Sequence, residues 1–517
     1  MESHIRYIKI KEKDKYLAIP IQAEKEKKKL FLREGGDFCT ELNIPVGTGE
    51  EGIYEHDFFA YIPLQPYQGK ELALEGEVTE AFLESIMVTD DRIKNRKHRP
   101  LLHFTPDYGW INDPNGLVYQ NGVYHLYFQY NPFDTQWDNM SWGHAVSTDL
   151  THWEQKDTVL FPDADGTIFS GCGLVNEFGL LDLPKEALLF YYSAAGSANK
   201  LSEGKSFVQK LAYSLDQGKT LIKGKTVLPA ICKENRDPKV FWHEESKAYI
   251  MCLWLENNEF ALLRSLDLKH FEISQRFELD GGFECPDLFR LSLESHGQSA
   301  DKWVFWCADG FYYMGDFDGY EFHTDGIRRE AYQTKIPYAA QTISNVGERV
   351  ISIPWLRTKT KDGLYTGCMG LPREFSLIEK EGEPVLRQSL AREIEEKKKL
   401  VFSEHTKSDI NLCWEKETLI VTIETPHTFE KGFTGRILGS EITYDAASGV
   451  LKVEEDEITI KQEVSDFCMI FDRGVIEITA NNDIIYAVFE VEDKPLEREI
   501  LLNCGEDAKF CLYEIIS

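Results

Sequence analysis

Apolar positions fall into two textures along the chain. Residues 1–95 alternate apolar and polar side chains in short runs such as YLAIPI, KLFLRE and FFAYIPL, divided by Gly-Glu and Pro-Tyr-Gln-Gly turns. From about 100 to 378 the runs become nearly continuous and aromatic: VYHLYFQY from 123, LLFYYSA from 188, AYIMCLW from 248, KWVFWCA from 302 and ERVISIPW from 348. Their starts lie 65, 60, 54 and 46 residues apart, room for about four short strands each. This is the content of a propeller blade, although no WD40-like internal repeat is visible. A helical connector is expected near SLAREIEEKKKL, and alternation returns in TLIVTIET, GVLKVEE, FCMIFDRGVIEITA and DIIYAVFEV, the pattern of an antiparallel sandwich. The reading is all-β: an N-terminal accessory β domain at 1–95, a five-bladed β-propeller at 96–380, a linker at 381–399 and a C-terminal β-sandwich at 400–517.

The 517 residues suit about three domains at ~150 residues each. A net charge of −30 opposes binding to nucleic acid and to anionic membrane surfaces, and leaves a neutral substrate unpenalised. No run of about 18 apolar residues exists, so no membrane-spanning helix is expected. The 11 cysteines show no C-x-x-C spacing, and the N-terminus lacks the apolar stretch of a secretory signal. Reduced thiols and a cytoplasmic location are the expectation. The basic stretch RIKNRKHR, 92–99, reads as a solvated linker.

Four motifs keep a regular relation to the aromatic runs. Asp113 in WINDPNG stands 10 residues before the first run, and Ser170 in IFSGC stands 18 before the second. Asp237 in NRDPK stands 11 before the third, and Glu284 in FECPD stands 18 before the fourth. If each run is a middle strand, each motif lies on or near the innermost strand before it, and three carboxylates converge on one channel. D-P-N-G alone also fits a surface turn, but Phe104, Tyr108 and Trp110 crowd this one. Asp237 is either the partner of Arg236 at a strand entrance or a carboxylate kept ionised by it to bind hydroxyls. Glu284, between Phe283 and Cys285, is either a half-buried acid satisfied by backbone amides or a proton donor of raised pKa. A carboxylate pair of this kind is what glycoside hydrolysis needs. Trp137 is a candidate sugar contact, whereas Trp142, His144 and Trp153 read as core. Asn112 and Gln129 could hydrogen-bond sugar hydroxyls.

WINDPNG, FSGC, RDP and ECPD, in this order, resemble glycoside hydrolase family 32, the β-fructosidases (invertases, inulinases and levanases). YHLYFQYNP, WGHAVSTDLTHWE, YAAQT, GLPREF and DRGVIEI are similar too, so the resemblance covers about 100–517. It implies a five-bladed propeller followed by a sandwich, and retention of configuration at the fructosyl C2. It makes Asp113 the nucleophile, Glu284 the acid/base and Asp237 the transition-state stabiliser. Asn112, Gln129, Trp137, Phe169, Ser170 and Arg236 would shape the pocket for a terminal fructose, with no metal or cofactor. Asp138 stands where many relatives carry Gly, and Ser141 where levanase- and sucrase-like members often carry His. The NMSWGHA string is closer to exo-acting inulinases and levanases, while a cytoplasmic location favours short imported substrates. The expected partner is a fructose-containing oligo- or polysaccharide. A fructosyltransferase, including difructose-anhydride chemistry, and a non-catalytic fructan-binding protein are the alternatives. Homo-oligomer formation and the role of 1–95 stay open.

Overall fold

The structure is a computed structural model that describes residues 3–47, 55–95, 99–295, 298–407 and 409–516. The expected Gly-Glu turn, at 48–54, and the middle of the basic stretch, 96–98, lie outside the described residues. The chain is all-β. Its described helices are short, and one of them, Glu80–Ser85, starts where the Thr79 side chain accepts the Phe82 N–H.

Five four-strand runs follow one another from Gly109 to Leu390, each paired in chain order and antiparallel. The first comprises Gly109–Gln120, Val123–Asn131, Ser141–Ser147 and Glu154–Gln155. The second comprises Thr167–Val175, Leu188–Ala195, Val208–Ser214 and Ile222–Leu228. The third comprises Arg236–His243, Ala248–Trp254, Glu259–Ser265 and Glu272–Glu278. The fourth opens with Asp287–Ser295 and the fifth with Pro337–Thr342. Every aromatic run of the sequence falls on the second strand of its sheet. Leu188–Ala195 and Ala248–Trp254 are buried at every residue, which is why they are continuously apolar: both faces of these sheets are covered. The outer strand Glu272–Glu278 has no buried residue and is correspondingly charged. Sheets one and five meet where Tyr119 N donates to Ser344 O (2.9 Å) and Ser344 N to Leu117 O (3.0 Å).

The segment 381–399 differs from the expected connector. Glu383–Leu390 is the outer strand of the fifth sheet, the helix shrinks to Arg392–Glu395, and a new strand begins at Lys398. Glu393 and Glu395 stay in that short helix, Glu396 and Lys397 turn the chain, and Lys398 and Lys399 open the new strand. Beyond it, two six-stranded sheets share one apolar core, with Leu419, Val421, Phe467 and Met469 from one and Phe433, Ile442, Leu451 and Ile500 from the other. The N-terminal section holds a four-stranded and a three-stranded sheet around its own core, and that core takes in Phe133 from the first sheet's loop. The basic stretch is not simply solvated: Arg92 pairs with Asp157 (3.2 Å) and Arg99 with Asp107 (2.6 Å).

Two of the family-like stretches join segments rather than build a pocket. Asp472 and Glu477 of DRGVIEI are buried against His103, at 2.8 and 3.1 Å, and Glu477 also pairs with Arg373 of GLPREF. Burial works against charge on His103, but the two carboxylates outweigh it and raise its pKa to about 9.

Candidate active site

The first strands of sheets one, two, three and five are broken beside the cavity, while Glu284 lies in a bend just before the fourth sheet's first strand. A β-bulge falls between Ile111 and Pro114, between Ile168 and Gly171, between Arg236 and Lys239, and between Tyr338 and Gln341. An extra residue in a strand re-aims a side chain off the sheet face. Thus D-P-N-G forms no surface turn. It lies inside the buried strand Gly109–Gln120 and supplies two bulges, with Gly116 at φ 55°. Asp237 (φ 63°), Glu284 (φ 45°), Cys285 (φ 42°) and Ala339 (φ 50°) take left-handed backbone conformations that cost a non-glycine residue about 1 kcal/mol or more each. Such strain persists where the surrounding structure enforces it; these four residues lie at or next to one cavity, although left-handed residues such as Leu150, Leu268 and Arg473 occur elsewhere in the chain too. Gly171 is required for a different reason. A Cβ there would fall 1.9 Å from the Tyr191 carbonyl oxygen of the neighbouring strand.

These bulges surround an open cavity of about 330 Å³ lined by Asn112, Asp113, Gln129, Trp137, Phe169, Ser170, Arg236, Asp237 and Glu284. All nine residues singled out from the sequence therefore share one pocket. Met140, Tyr338 and Trp355 complete it. Tyr338 opens the YAAQT stretch and Trp355 closes the fifth aromatic run, but nothing in either pattern shows that its ring turns to the same cavity.

Asp113 accepts hydrogen bonds from Ser170 Oγ (2.6 Å, to Oδ2) and Asn112 Nδ2 (3.2 Å, to Oδ1), and Asn112 is itself held by Trp110 Nε1 (2.9 Å). The Cys285 thiol lies 3.5 Å from Asp113 Oδ2 and 3.6 Å from Asp237 Oδ2, so one sulfur touches both acids. Asp237 also accepts the Cys285 N–H at 3.1 Å. Glu284 is gripped from two sides. Arg236 donates to Oε1 through Nη2 (2.5 Å) and Nε (3.2 Å), and Tyr338 Oη donates to Oε2 (2.8 Å). The Arg236 guanidinium stacks on Trp254, 4.1 Å from the ring centroid.

The contacts of the two later acids differ from those their sequence neighbours suggest. Arg236, expected to keep Asp237 ionised, turns its donors to Glu284. Glu284, expected in an apolar setting, meets a guanidinium and a phenol instead. Asp237 is the deeply buried acid. Burial raises its pKa, Arg236 opposes this, and the negative charges of Glu284 and Asp113 add to it, leaving it at about 7. Asp113 is also raised, first by burial and then by Glu284, against its Ser170 and Asn112 hydrogen bonds. Adjacency in sequence does not set side-chain direction at a bulge.

Gln129 is 2% exposed, and neither its amide oxygen nor its nitrogen has a protein partner. A buried amide left unpaired at a cavity wall costs free energy unless water or a ligand satisfies it. Trp137 stands at the rim, 54% exposed, edge-on to Phe169 with centroids 6.2 Å apart. Trp142 and His144 are core, as expected: the Trp142 indole donates to Phe169 O (3.1 Å), and His144 stacks on Tyr127 at 4.2 Å.

A profile described as "Glycosyl hydrolases family 32 N-terminal domain" matches residues 103–389, more than half of the chain. The chain belongs to glycosyl hydrolase family 32. The family 32 chain is 38% identical to a levanase of Bacillus subtilis (strain 168) over 332 residues, 58% of this chain and 47% of the levanase. It spans about half the length of the curated relatives it matches. Its fold is shared with an exo-inulinase from Aspergillus awamori (TM-score 0.72, 23% identity, 82% of this chain and 99% of that one). A family 32 glycoside hydrolase from Bifidobacterium adolescentis matches 99% of both chains at TM-score 0.67 and 17% identity, so its likeness extends over the N-terminal sheets.

Proposed function

We propose that this family 32 chain is a retaining β-fructosidase that releases terminal β-D-fructofuranosyl residues from fructans, fructo-oligosaccharides or sucrose. The observation that carries the reading is the meeting of three acids from well-separated stretches of the chain on one cavity beside an unpaired, buried Gln129. Asp113, steadied by Ser170 and Asn112, would attack C2 and form the fructosyl-enzyme. Glu284 would give a proton to the departing oxygen and then take one from water. Its two donors, Arg236 and Tyr338, hold the carboxylate in place for that second step. Asp237 lies close enough to share the Cys285 thiol with Asp113, a position suited to binding fructose hydroxyls while positive charge develops on the ring. The levanase relative supports the substrate class.

The same proposal takes the five sheets between 96 and 380 as blades of a propeller, with the fifth extended to Leu390, and the sheets from Lys398 onward as a sandwich. The backbone bonds between sheets one and five and the likeness to the exo-inulinase support it. A cytoplasmic place of action rests on the thiol pattern of the sequence, and cell fractionation tests it.

The test is incubation with sucrose, kestose, inulin, levan and difructose anhydrides, followed by chromatography of the products. Free fructose is expected, abolished in Asp113→Ala and Glu284→Ala. New fructosyl linkages or a cyclic dimer in place of fructose would make the chain a transferase. Binding without turnover would make it a carbohydrate-binding protein.

A further inference from the structure

The loop that bears Trp137 is fixed from outside its own sheet. Phe133, at its root, is fully buried in the core of the N-terminal section. Lys27, which opens the strand Lys27–Glu34, reaches Asp134 Oδ2 (3.1 Å) and Asp138 Oδ2 (2.9 Å) on either side of the tryptophan. Asn43, in the strand Asp37–Pro45, completes the hold. Its N–H donates to Asn139 Oδ1 (2.7 Å), its carbonyl accepts from Asn139 Nδ2 (2.9 Å), and its own amide donates to Asp138 Oδ1 (3.1 Å). The Asn139 side chain therefore pairs with the edge strand as a peptide group would. Within the loop, Asn131 Nδ2 donates to Gln136 O (2.8 Å), and Ser141 Oγ donates to Asn139 O (2.7 Å).

We propose that the N-terminal section is a working part of the saccharide site: Lys27 and Asn43 are positioning residues that hold Trp137 at the cavity rim and thereby set affinity for the substrate. The argument is energetic. Asp134 is buried and has Lys27 as its cation, so removing Lys27 leaves an unpaired buried carboxylate that the loop must move to hydrate. A rim aromatic contacts the saccharide in ground and transition states alike, so its displacement changes KM more than kcat. Asp138, a departure from the glycine of many relatives, has a function here as the second anchor. The proposal rests on the β-fructosidase reading for its substrate, but not for the clamp itself.

The experiment compares Lys27→Met with Lys27→Arg in the full chain labelled with 5-fluorotryptophan. Of the ten tryptophan fluorine resonances, the one lost in Trp137→Phe belongs to Trp137. In Lys27→Met that resonance should shift and narrow while the others stay, and Lys27→Arg should restore it. KM for kestose should rise about five-fold with kcat within about two-fold of the parent, the scale of losing one rim contact. An unchanged Trp137 resonance, or a fall in kcat at constant KM, would overturn the proposal. Loss of dispersion in all ten resonances would report unfolding, and Asp138→Asn then provides the same comparison. If the parent protein releases no fructose, the β-fructosidase reading fails while the resonance still decides the clamp.

Discussion

Asp237→Asn should make the protein more stable and inactive at once. The native carboxyl is 4% exposed, and its pKa is raised by burial and by two neighbouring acids to about 7 from an ordinary 3.8. The folded state therefore holds the proton more tightly than the unfolded chain does. Stability from this group is whole below pH 3.8, falls as pH rises through the interval, and levels off above about 7. Each unit corresponds to about 1.4 kcal/mol, so the ionised carboxylate costs the fold at most about 4 kcal/mol at pH 8. An asparagine keeps the acceptor for the Cys285 N–H and adds donors toward Asp113 and Glu284. A net gain of about 1–3 kcal/mol at pH 8 follows, shrinking toward zero at pH 4, where the parent acid is already neutral. Urea midpoints of parent and variant at pH 4, 6 and 8 measure it, with fructose release followed in parallel and expected to fall about 100- to 1000-fold. The reasoning is refuted if the variant is less stable than the parent at pH 8, or if its advantage does not change with pH.

Tyr338→Phe removes a 2.8 Å hydrogen bond to Glu284 and should lower kcat about 10- to 100-fold with KM little changed, as steady-state kinetics on sucrose would show. Gly171→Ala drives a methyl into the Tyr191 carbonyl and should cost about 1–3 kcal/mol or more, read as a lower urea midpoint. His103, raised to about 9 between Asp472 and Glu477, lends stability that is complete below pH 6.5 and lost as pH rises through about 9. His103→Gln should lower the unfolding free energy at pH 7 by about 3–5 kcal/mol and flatten this alkaline decline, which urea unfolding curves from pH 6 to 10 would reveal.

Much of the molecule is determined locally. Continuous apolar runs mark strands covered on both faces, and each of them falls on the second strand of its sheet, since a strand with one face in solvent would alternate. Most of the candidate residues were legible because their motifs precede those runs: Asn112, Asp113, Phe169, Ser170, Arg236 and Asp237 lie on first strands and Glu284 just before one, whereas Gln129 lies within the first run and Trp137 in the loop that follows it. The lysine-rich segment after Leu390 shows the limit: its composition suits a helix, yet pairing with Ala508–Ile515, more than a hundred residues away, makes it a strand. Direction and environment were likewise beyond the sequence. Whether Arg236 faces Asp237 or Glu284 depends on a bulge and a left-handed residue, and whether an acid is ionised depends on burial by strands from other sheets. Tyr338 enters the site because the fifth sheet closes against the first. The N-terminal section gains its place through Lys27 and Asn43 meeting a loop some hundred residues downstream. Pattern along a chain records which face of each strand is covered; only the assembled sheets decide what covers it, and charges respond to that.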